Sequence, residues 1–497
     1  MKFNLVDDPW IWVIGKPRQS LKSFFSDLSI TGFCGNAVEK IAMLRFMLSL
    51  THAAVEIPDD KAWHELTPEI IAEKVLDYLE KHRDCFELFG ERPFLQFPQL
   101  AASNKNQYYH SMFPNVSSGN KPVLTHWNLP DPVKVPDIPL LLLRGCGFGF
   151  GGKKSDNSIV LSNGYRGKQN DKGKPASGSS GTLLGYQGYL HSYLSGATVL
   201  NTIHLNLLTM EDIKALDFYS EIGRPAWENM PSGEDCEVAR HYKKTYQGML
   251  LVLDKFQLIL PDKRRIVITD GIEYPTHLTG LRDPALTIYS DKNKYKAVWA
   301  RTSLRPWREL PALLAFLQTG HNDPSPVFLS AGIRKLAPEE LIHIWTAGLQ
   351  VSSNAGEQYV SGKDDYIESD FYFPNIAVDV SCSKYCNIMT EVDRYSKILY
   401  SSINSYFKAM FHAGGADNAA AAVEFFWELM EKDAQMLIDI AFSEDIADDL
   451  VPDELKHRWS KLILDIYNRY CPRESSRQLL AWSEAKPFAR EKSSKKG

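Results

Sequence analysis

The chain has 497 residues, of which 44% are hydrophobic, 24% charged and 11% aromatic, with a formal net charge of −5. This length suggests more than one domain, since a single hydrophobic core stops growing at roughly 250–300 residues. The acidic balance excludes a global positive field that would draw the chain to nucleic acid, so any such binding must come from local patches or partner subunits.

Predicted helices and strands alternate in the N-terminal part. Residues 36–54 place most of their apolar side chains on one helical face. Thr67-Pro68 is typical of an N-cap followed by a first-turn proline, so a second helix is expected to start there. The stretches 182–209, 249–260 and 265–269 are rich in β-branched and aromatic residues and are interpreted as strand-like.

The C-terminal part has a helical pattern. Apolar residues recur at every third or fourth position in three stretches: 392–410, 423–430 and 455–470. A fourth helix is expected within 474–490, and four such helices with short connections pack as a bundle. The sequence therefore predicts an α+β protein, with a large mixed α/β domain over residues 1–380 and a C-terminal four-helix bundle over 381–497.

Residues 145–157 read GCGFGFGGKKSDN and come close to two phosphate-binding signatures. Gly147, Gly149 and Gly152 fit G-x-G-x-x-G. Gly147, Gly152 and Lys153 fit all but the last letter of G-x-x-x-x-G-K-[ST]. Both signatures require a helix that starts at the motif, because its N-terminus binds the phosphates. Lys154 replaces the hydroxyl residue and no helix-forming sequence follows, so nucleotide binding is not expected.

The same glycines begin a local basic segment in an acidic chain. Residues 145–181 contain ten glycines, and only two acids accompany six cations: Lys153, Lys154, Arg166, Lys168, Lys172 and Lys174. Two interpretations remain open. The segment is a mobile surface loop, or its glycines let the backbone approach a nucleic acid while the lysines contact phosphates.

The sequence lacks an apparent catalytic set. No nucleophile stands beside a base, and no zinc-protease, hydrolase or histidine-aspartate nuclease signature occurs. Of the seven cysteines only Cys382 and Cys386 are close, too few ligands for a zinc site. We expect no catalytic residue, no metal and no cofactor. The rivals are a metal-dependent nucleic-acid-processing enzyme that uses the acids at 364–370, and a purely structural scaffold.

The N-terminus has two acids, Asp7 and Asp8, where a signal peptide would be apolar, and no 18-residue apolar run follows. A cytoplasmic location without membrane association is expected.

The order of several short motifs resembles a known family. The motifs are NLVDDPWI (4–11), LTHAAVEIPDD (50–60), ERPFLQFP (91–98), SGATVLNTIHLNLLT (195–209), GRPAWE (223–228), TYQGMLLVLDKFQLIL (245–260), WTAGLQ (345–350) and EFFWELMEKDA (424–434). In this order, with a glycine-rich loop after the third, they resemble the large subunit of the type I-E CRISPR Cascade complex, the CasA family. The resemblance spans nearly the whole chain.

The resemblance implies a non-catalytic subunit of an RNA-guided antiviral complex. Its implied partners are the CRISPR guide RNA, the other Cascade subunits, target double-stranded DNA and a helicase-nuclease recruited after target binding. It is expected to recognise the protospacer-adjacent motif in duplex DNA and to promote strand separation. The loop that meets the 5′ end of the guide RNA should lie within residues 105–130.

Three DNA-contacting elements carry over from the resemblance. The glycine-rich loop corresponds either to Gly147, Gly149, Gly151 and Gly152 with Lys153 and Lys154, or to Gly178 and Gly181, because an insertion separates the two blocks. The basic finger corresponds to Lys263, Arg264 and Arg265. The wedge that enters the duplex follows Gly348-Leu349; its candidate tips are Gln350, Asn354 and Gln358, of which Gln358 is preferred. Some members carry a cysteine cluster after the position of Leu260; this chain has none.

Overall fold

A computed structural model describes most of the chain. The described residues are 2–112, 131–149, 155–176, 184, 188–216, 218–275, 283–291, 294–301, 305–313, 326–337, 339–350, 365–374, 378–411, 413–443 and 451–488. The chain divides into two units. The first comprises residues 1–301, 322–336 and 343–370, and the second comprises 302–321, 337–342 and 371–497. Helices and strands are mixed, as the sequence predicted.

The two N-terminal helices expected from the sequence are confirmed. Ala37–Ala54 begins after Asn36, whose side chain accepts a hydrogen bond from the amide of Glu39, and the Glu39 carboxylate caps the amide of Asn36 in return. Pro68–Lys81 begins after Thr67 with Pro68 at its first position. The remaining described α-helices of the first unit are Leu21–Phe25, Asp60–Glu65, Ile138–Phe148, Val199–Leu205, Met210–Ala215, Glu237–Tyr242, Tyr246–Leu250 and Val327–Lys335.

Eight strands form three small sheets within the described residues. In chain order they are β1 Gln107–Tyr108, β2 His191–Leu194, β3 Lys255–Ile259, β4 Arg265–Asp270, β5 Ile288–Asp291, β6 Lys294–Ala297, β7 Leu341–Gln350 and β8 Asp365–Pro374. The strand orders are β1-β4-β3, β2-β7-β8 and β5-β6. The β1–β4, β2–β7, β3–β4 and β5–β6 pairs are antiparallel.

Two strand-like stretches are partly helical. Within 182–209 only His191–Leu194 is a strand, and Val199–Leu205 is a helix capped by Thr198. Within 249–260 the strand starts at Lys255, because Tyr246–Leu250 forms a short helix capped by Thr245. In both places a threonine cap outweighs the strand propensity of the following residues. The strand expected at 265–269 is confirmed as β4.

In the second unit, the long helix Val378–Ala409 contacts five other described α-helices: Leu310–Leu313, Gly415–Met430, Ala434–Phe442, Asp453–Tyr470 and Ser476–Glu484. Val392, Tyr395, Leu399 and Ile403 of the long helix are buried, as their spacing predicted. Towards its end the buried residue is Tyr406 rather than the expected Phe407. In the described part of the chain, no helix is both long enough and apolar enough to cross a membrane.

Candidate nucleic-acid interface

The hairpin of β3 and β4 contacts described residues that flank several of the predicted binding loops. Its register runs from Lys255 opposite Asp270 to Ile259 opposite Ile266. Most of its side chains are buried on both faces. Such a hairpin is a rigid support for loops attached to its ends, because its ladder of hydrogen bonds is shielded from water.

The predicted basic finger is the tight turn of this hairpin. Lys263 has a left-handed backbone with φ of 52°, and its amide donates to the carbonyl of Leu260 at 2.8 Å. The Asp262 carboxylate accepts the amides of Arg264 at 3.0 Å and Arg265 at 3.1 Å. It also pairs with the Arg265 guanidinium at 2.5 Å. Burial raises the pKa of Asp262, but these donors outweigh it and lower the pKa overall. One of the three cations is therefore paired.

The ends of the expected guide-RNA loop meet this same turn. The amide of Tyr109 donates to the carbonyl of Arg264 at 3.0 Å, and the amide of Val133 donates to the carbonyl of Lys263 at 2.7 Å. Strand β1 extends the contact by pairing Tyr108 with Arg265. Residues 113–130 themselves lie outside the described residues. The fold thus brings together two predicted nucleic-acid elements that are far apart in sequence.

The first glycine block starts from the core rather than from the surface. The helix Ile138–Phe148 is broken at Cys146 and Gly147, where Gly147 has φ of 83°. A Cβ on Gly147 would lie 2.8 Å from Leu184 Cδ1, and one on Gly149 would lie 3.3 Å from Lys255 Cγ of β3. Gly147 and Gly149 are buried, so close packing explains why they are glycines. This corrects the expectation that a glycine-rich loop begins at Gly145.

The far end of the first block is held by the other strand of the hairpin. The amide of Asp156 donates to the carbonyl of Ile268 at 2.7 Å, and the Asn157 side chain donates to the Asp270 carboxylate at 2.7 Å. The rest of this block, Gly151, Gly152, Lys153 and Lys154, lies outside the described residues. Adjacent strands therefore hold the residues on either side of it.

The rival glycine block has its ends at the same place. Gly178 and Gly181 lie outside the described residues, but the flanking Ala176 and Leu184 are described. The Asn157 side chain donates to the carbonyl of Ala176 at 3.3 Å, and the amide of Leu184 donates to the carbonyl of Gly147 at 3.2 Å. The ends of the two blocks are therefore neighbours in the fold, although the blocks are separated in sequence.

The expected wedge also starts nearby. Strand β7 ends at Gln350, while Asn354 and Gln358 lie outside the described residues. Gly188, with φ of 76°, packs so closely against β7 that a Cβ there would lie 1.8 Å from the carbonyl oxygen of Leu349. His191 Nε2 lies 2.9 Å from the carbonyl oxygen of Leu184, which ties this segment to the end of the second block. The sequence alone did not single out Gly188, because the residue that packs against it, Leu349, is distant in sequence.

One cation of the basic segment is internal. The Lys168 ammonium pairs with the Glu234 carboxylate at 2.5 Å, and neither side chain is exposed. It also donates to the carbonyl of Ile159 at 2.7 Å and to Thr269 Oγ1 of β4 at 2.9 Å. Burial lowers the pKa of Lys168 although Glu234 opposes the shift. Lys168 is thus a structural residue, whereas Arg166, Lys172 and Lys174 are exposed.

A family model described as "CRISPR-associated protein Cse1" matches residues 4–469. The chain belongs to the Cse1 family. A curated relative from Thermus thermophilus, "CRISPR-associated protein CasA/Cse1", is 30% identical over 146 residues, which is 26% of this chain and 28% of that protein. The sequence therefore matches little more than a quarter of that relative's length, and the family model carries the assignment over the rest.

Solved structures share the Cse1 fold over nearly all of the chain. The crystal structure of Thermus thermophilus CasA superposes with a TM-score of 0.71 at 16% identity and covers 99% of both chains. A chain of a structure described as a "CRISPR RNA-guided surveillance complex" superposes with a TM-score of 0.68 at 15% identity, covering 97% of this chain and 98% of that one. At these identities the likeness establishes the shared fold.

Two acids of the cluster at 364–370 in this Cse1-family chain are engaged in structural contacts. Glu368 accepts from the Lys40 ammonium at 2.6 Å and from the Trp345 indole at 2.9 Å, and Asp370 pairs with His343. Among the described residues no group of three or more histidine, cysteine or acidic side chains is arranged to hold a metal ion. The described part of the cluster gives no support to the rival nuclease interpretation.

Proposed function

We propose that this chain is the subunit of an RNA-guided antiviral complex that recognises the protospacer-adjacent motif in double-stranded DNA and promotes duplex opening. One observation carries the proposal. The expected guide-RNA loop, basic finger and both glycine blocks all start from the β3–β4 hairpin or from residues bonded to it, and the wedge starts beside Gly188. Family membership and the fold shared with a chain of a surveillance complex support it.

The proposed chemistry suits these elements. The minor groove presents a degenerate pattern of donors and acceptors, so glycine backbone and a lysine suffice to read a short motif there. An inserted side chain unstacks a base step at a cost of a few kcal/mol, which wrapping contacts offset. Pairing with the guide RNA then reads the rest of the target. The proposed partners are the guide RNA, the other Cascade subunits, target DNA and a recruited helicase-nuclease.

We also propose that the chain acts without catalysis and that residues 381–497 work as a four-helix bundle attached to a domain of residues 1–380. The contacts of Val378–Ala409 with Gly415–Met430, Asp453–Tyr470 and Ser476–Glu484 support a bundle. The engagement of Glu368 and Asp370 in structural contacts supports a non-catalytic role.

The hairpin turn offers a direct test of the function. In the assembled complex, Lys263→Asn combined with Arg264→Gln removes two charges while asparagine still tolerates the left-handed backbone at position 263. Binding to duplex targets should weaken, and the slope of log affinity against log salt should fall by about 0.9 for each phosphate that the variant no longer binds. Binding to single-stranded target should stay unchanged, because guide pairing supplies that affinity.

The control is Lys22→Gln combined with Lys74→Gln, which removes two exposed charges from helices away from the hairpin. The parent complex must also prefer duplexes with the motif over those without it. If the finger variant binds duplex and single strand as the parent does, the turn is not a DNA contact. Absence of any motif preference in the parent would contradict the proposed function itself.

A further inference from the structure

The segment Ser155–Ala176, here named the braced segment, carries three exposed cations between the two glycine blocks. These are Arg166, Lys172 and Lys174, which we name the cationic turn. Within the part of the chain that the structure describes, none of the three forms an ion pair with a carboxylate. Asp171 is the single acid in residues 163–175. The turn therefore carries three cations and one acid, and none of the cations is paired with a described carboxylate.

The backbone of the cationic turn has a defined geometry. Asn170 donates its amide to the carbonyl of Lys174 at 2.8 Å, and its side-chain oxygen accepts the amides of Lys172 at 3.0 Å and Lys174 at 3.1 Å. Gly173 supplies the left-handed φ of 68° that the turn requires. A bridge between Gln169 and Pro175 closes its base. Lys172 and Lys174 are thus mounted on an ordered hairpin-like loop, and Arg166 precedes its base.

Buried polar contacts fix the braced segment to the first unit. The carbonyl of Lys168 accepts the amide of Ala176 at 2.7 Å, and its ammonium pairs with Glu234. Glu234 also accepts the amides of Leu161 at 3.0 Å and Ser162 at 2.7 Å. Asn157 is held by Asp270 at the start of the segment. Prior fixation reduces the conformational entropy that is lost when a charged loop binds a partner.

The position of the braced segment on β4 indicates which partner it would contact. It packs on β4 around Ile268, Thr269 and Asp270, at the end of the hairpin where both glycine blocks start. The ends of the guide-RNA loop contact the opposite end, at Lys263 and Arg264. Roughly four residues of strand separate the two ends, about 13 Å. The cationic turn therefore lies on the side of the two glycine blocks, and the basic finger lies at the opposite end with the guide-RNA loop.

We propose that the cationic turn binds the sugar-phosphate backbone of the target duplex beside the motif, as a sequence-independent clamp. The inference rests on the proposed function and extends it to a surface formed only by the insertion between the glycine blocks. Lysine and arginine contacts to phosphates position a protein on DNA without reading its bases. The turn thus contributes affinity and register, and the glycine blocks, finger and wedge contribute motif recognition and opening.

The test replaces Arg166, Lys172 and Lys174 with glutamine together, in the full complex assembled on guide RNA. The salt slope of duplex binding should fall by as much as about 2.7, the sum for three phosphate contacts. The loss of affinity should be the same fold-change for duplexes with and without the motif. Hydroxyl-radical footprinting should lose protection of backbone positions beside the motif and keep protection within the guide-paired region.

Two matched variants make the test specific. Asp171→Asn removes the one carboxylate of the turn and should strengthen duplex binding and steepen its salt slope, a gain that a misfolded loop would not give. Neutralising three exposed lysines elsewhere, Lys22, Lys74 and Lys81, should leave the slope at the parent value. Thermal unfolding of each purified chain verifies that the fold is retained.

The outcomes separate the inference from the proposed function. If the triple variant keeps the parent slope while the parent complex still prefers the motif, the clamp is wrong and the proposed function stands. If the triple variant impairs guide-RNA association and leaves duplex binding intact, the turn faces RNA, which also overturns the clamp. A parent complex without motif preference contradicts the proposed function. In that case the salt slope of the triple variant still tests whether the cationic turn binds the duplex.

Discussion

In the first unit, we expect single substitutions to reduce stability most at buried polar side chains. The Lys168–Glu234 pair has no exposed surface, and Arg45 lies buried against Asp283 at 3.0 Å. Removing one partner of such a pair leaves an uncompensated charge in a medium of low dielectric constant. His52 differs, because burial keeps it neutral and neither of its ring nitrogens has a hydrogen-bond partner among the described residues.

His52 should make the protein sensitive to acid. Burial, assisted by the nearby Lys335, lowers the pKa of His52 from 6.5 to about 3. Between these values the unfolded chain binds a proton that the native state does not. The contribution to stability is therefore complete above pH 6.5 and is lost as the pH falls toward 3. Between pH 7 and 4.5 the unfolding free energy of His52→Phe should fall by about 2.5 kcal/mol less than that of the parent, as measured by urea unfolding.

An exposed imidazole provides the control for this prediction. His64→Gln changes a histidine on the surface of Asp60–Glu65 and should keep the parent dependence of unfolding free energy on pH. Identical pH dependence of His52→Phe and the parent would show that water reaches His52 in the native state.

At the scale of elements, close approaches between segments hold the ends of the binding loops. The carbonyl of Gly147 accepts the amide of Leu184, Asn157 joins Ala176 to Asp270, and Gly188 lies against the last residues of β7. Each contact involves at least one residue that precedes or follows a predicted binding loop. The β3–β4 hairpin and the end of β7 therefore decide where these loops leave the fold.

Gly188→Ala should separate the second glycine block from the wedge. Alanine at φ of 76° costs about 1–2 kcal/mol, and overlap with the Leu349 carbonyl adds about 1–3 kcal/mol as the backbones move apart. Gly15→Ala is the matched control, since Gly15 has φ of 70° with nothing within 4 Å of its Cβ position. Equal losses of unfolding free energy in the two variants would contradict a tight contact at Gly188.

At the scale of the whole molecule, an acidic chain carries two local groups of cations near the predicted loops. The net charge is −5, yet Lys263 and Arg264 at the hairpin turn and the three residues of the cationic turn lie on the surface near the predicted loops. Such groups contact phosphates but do not create a long-range attractive field. From the proposed function we therefore expect tight duplex binding to depend on guide RNA and on partner subunits that hold the duplex in place.

The isolated chain should accordingly bind duplex DNA weakly and without motif preference, with dissociation constants in the range typical of non-specific binding, about 10⁻⁴–10⁻⁶ M. The assembled complex should bind more tightly and prefer the motif. Fluorescence anisotropy at several salt concentrations measures both. Motif-specific binding by the chain alone at nanomolar concentration would show that it needs no partners to read DNA.

The amino-acid sequence by itself determined the helices that start at Asn36 and Thr67, the helical periodicity from residue 392 onward, and the family. Helix caps and apolar spacing act within a few residues, so they can be read from the local sequence. The family was recognised from the order of motifs along the chain, which requires no tertiary structure. Local patterns failed where a threonine cap competed with strand propensity, as at Thr198 and Thr245.

Only the tertiary structure decided which side chains of the basic segment are structural and which are exposed. Lys168 and Lys172 look alike in sequence, but one pairs with Glu234, far along the chain, while the other lies in water. The sequence presented the two glycine blocks as alternatives. The structure shows that their ends lie together, joined by hydrogen bonds from Leu184 to Gly147 and from Asn157 to Ala176. Such contacts arise only after distant segments pack, and no periodicity or motif spacing encodes them.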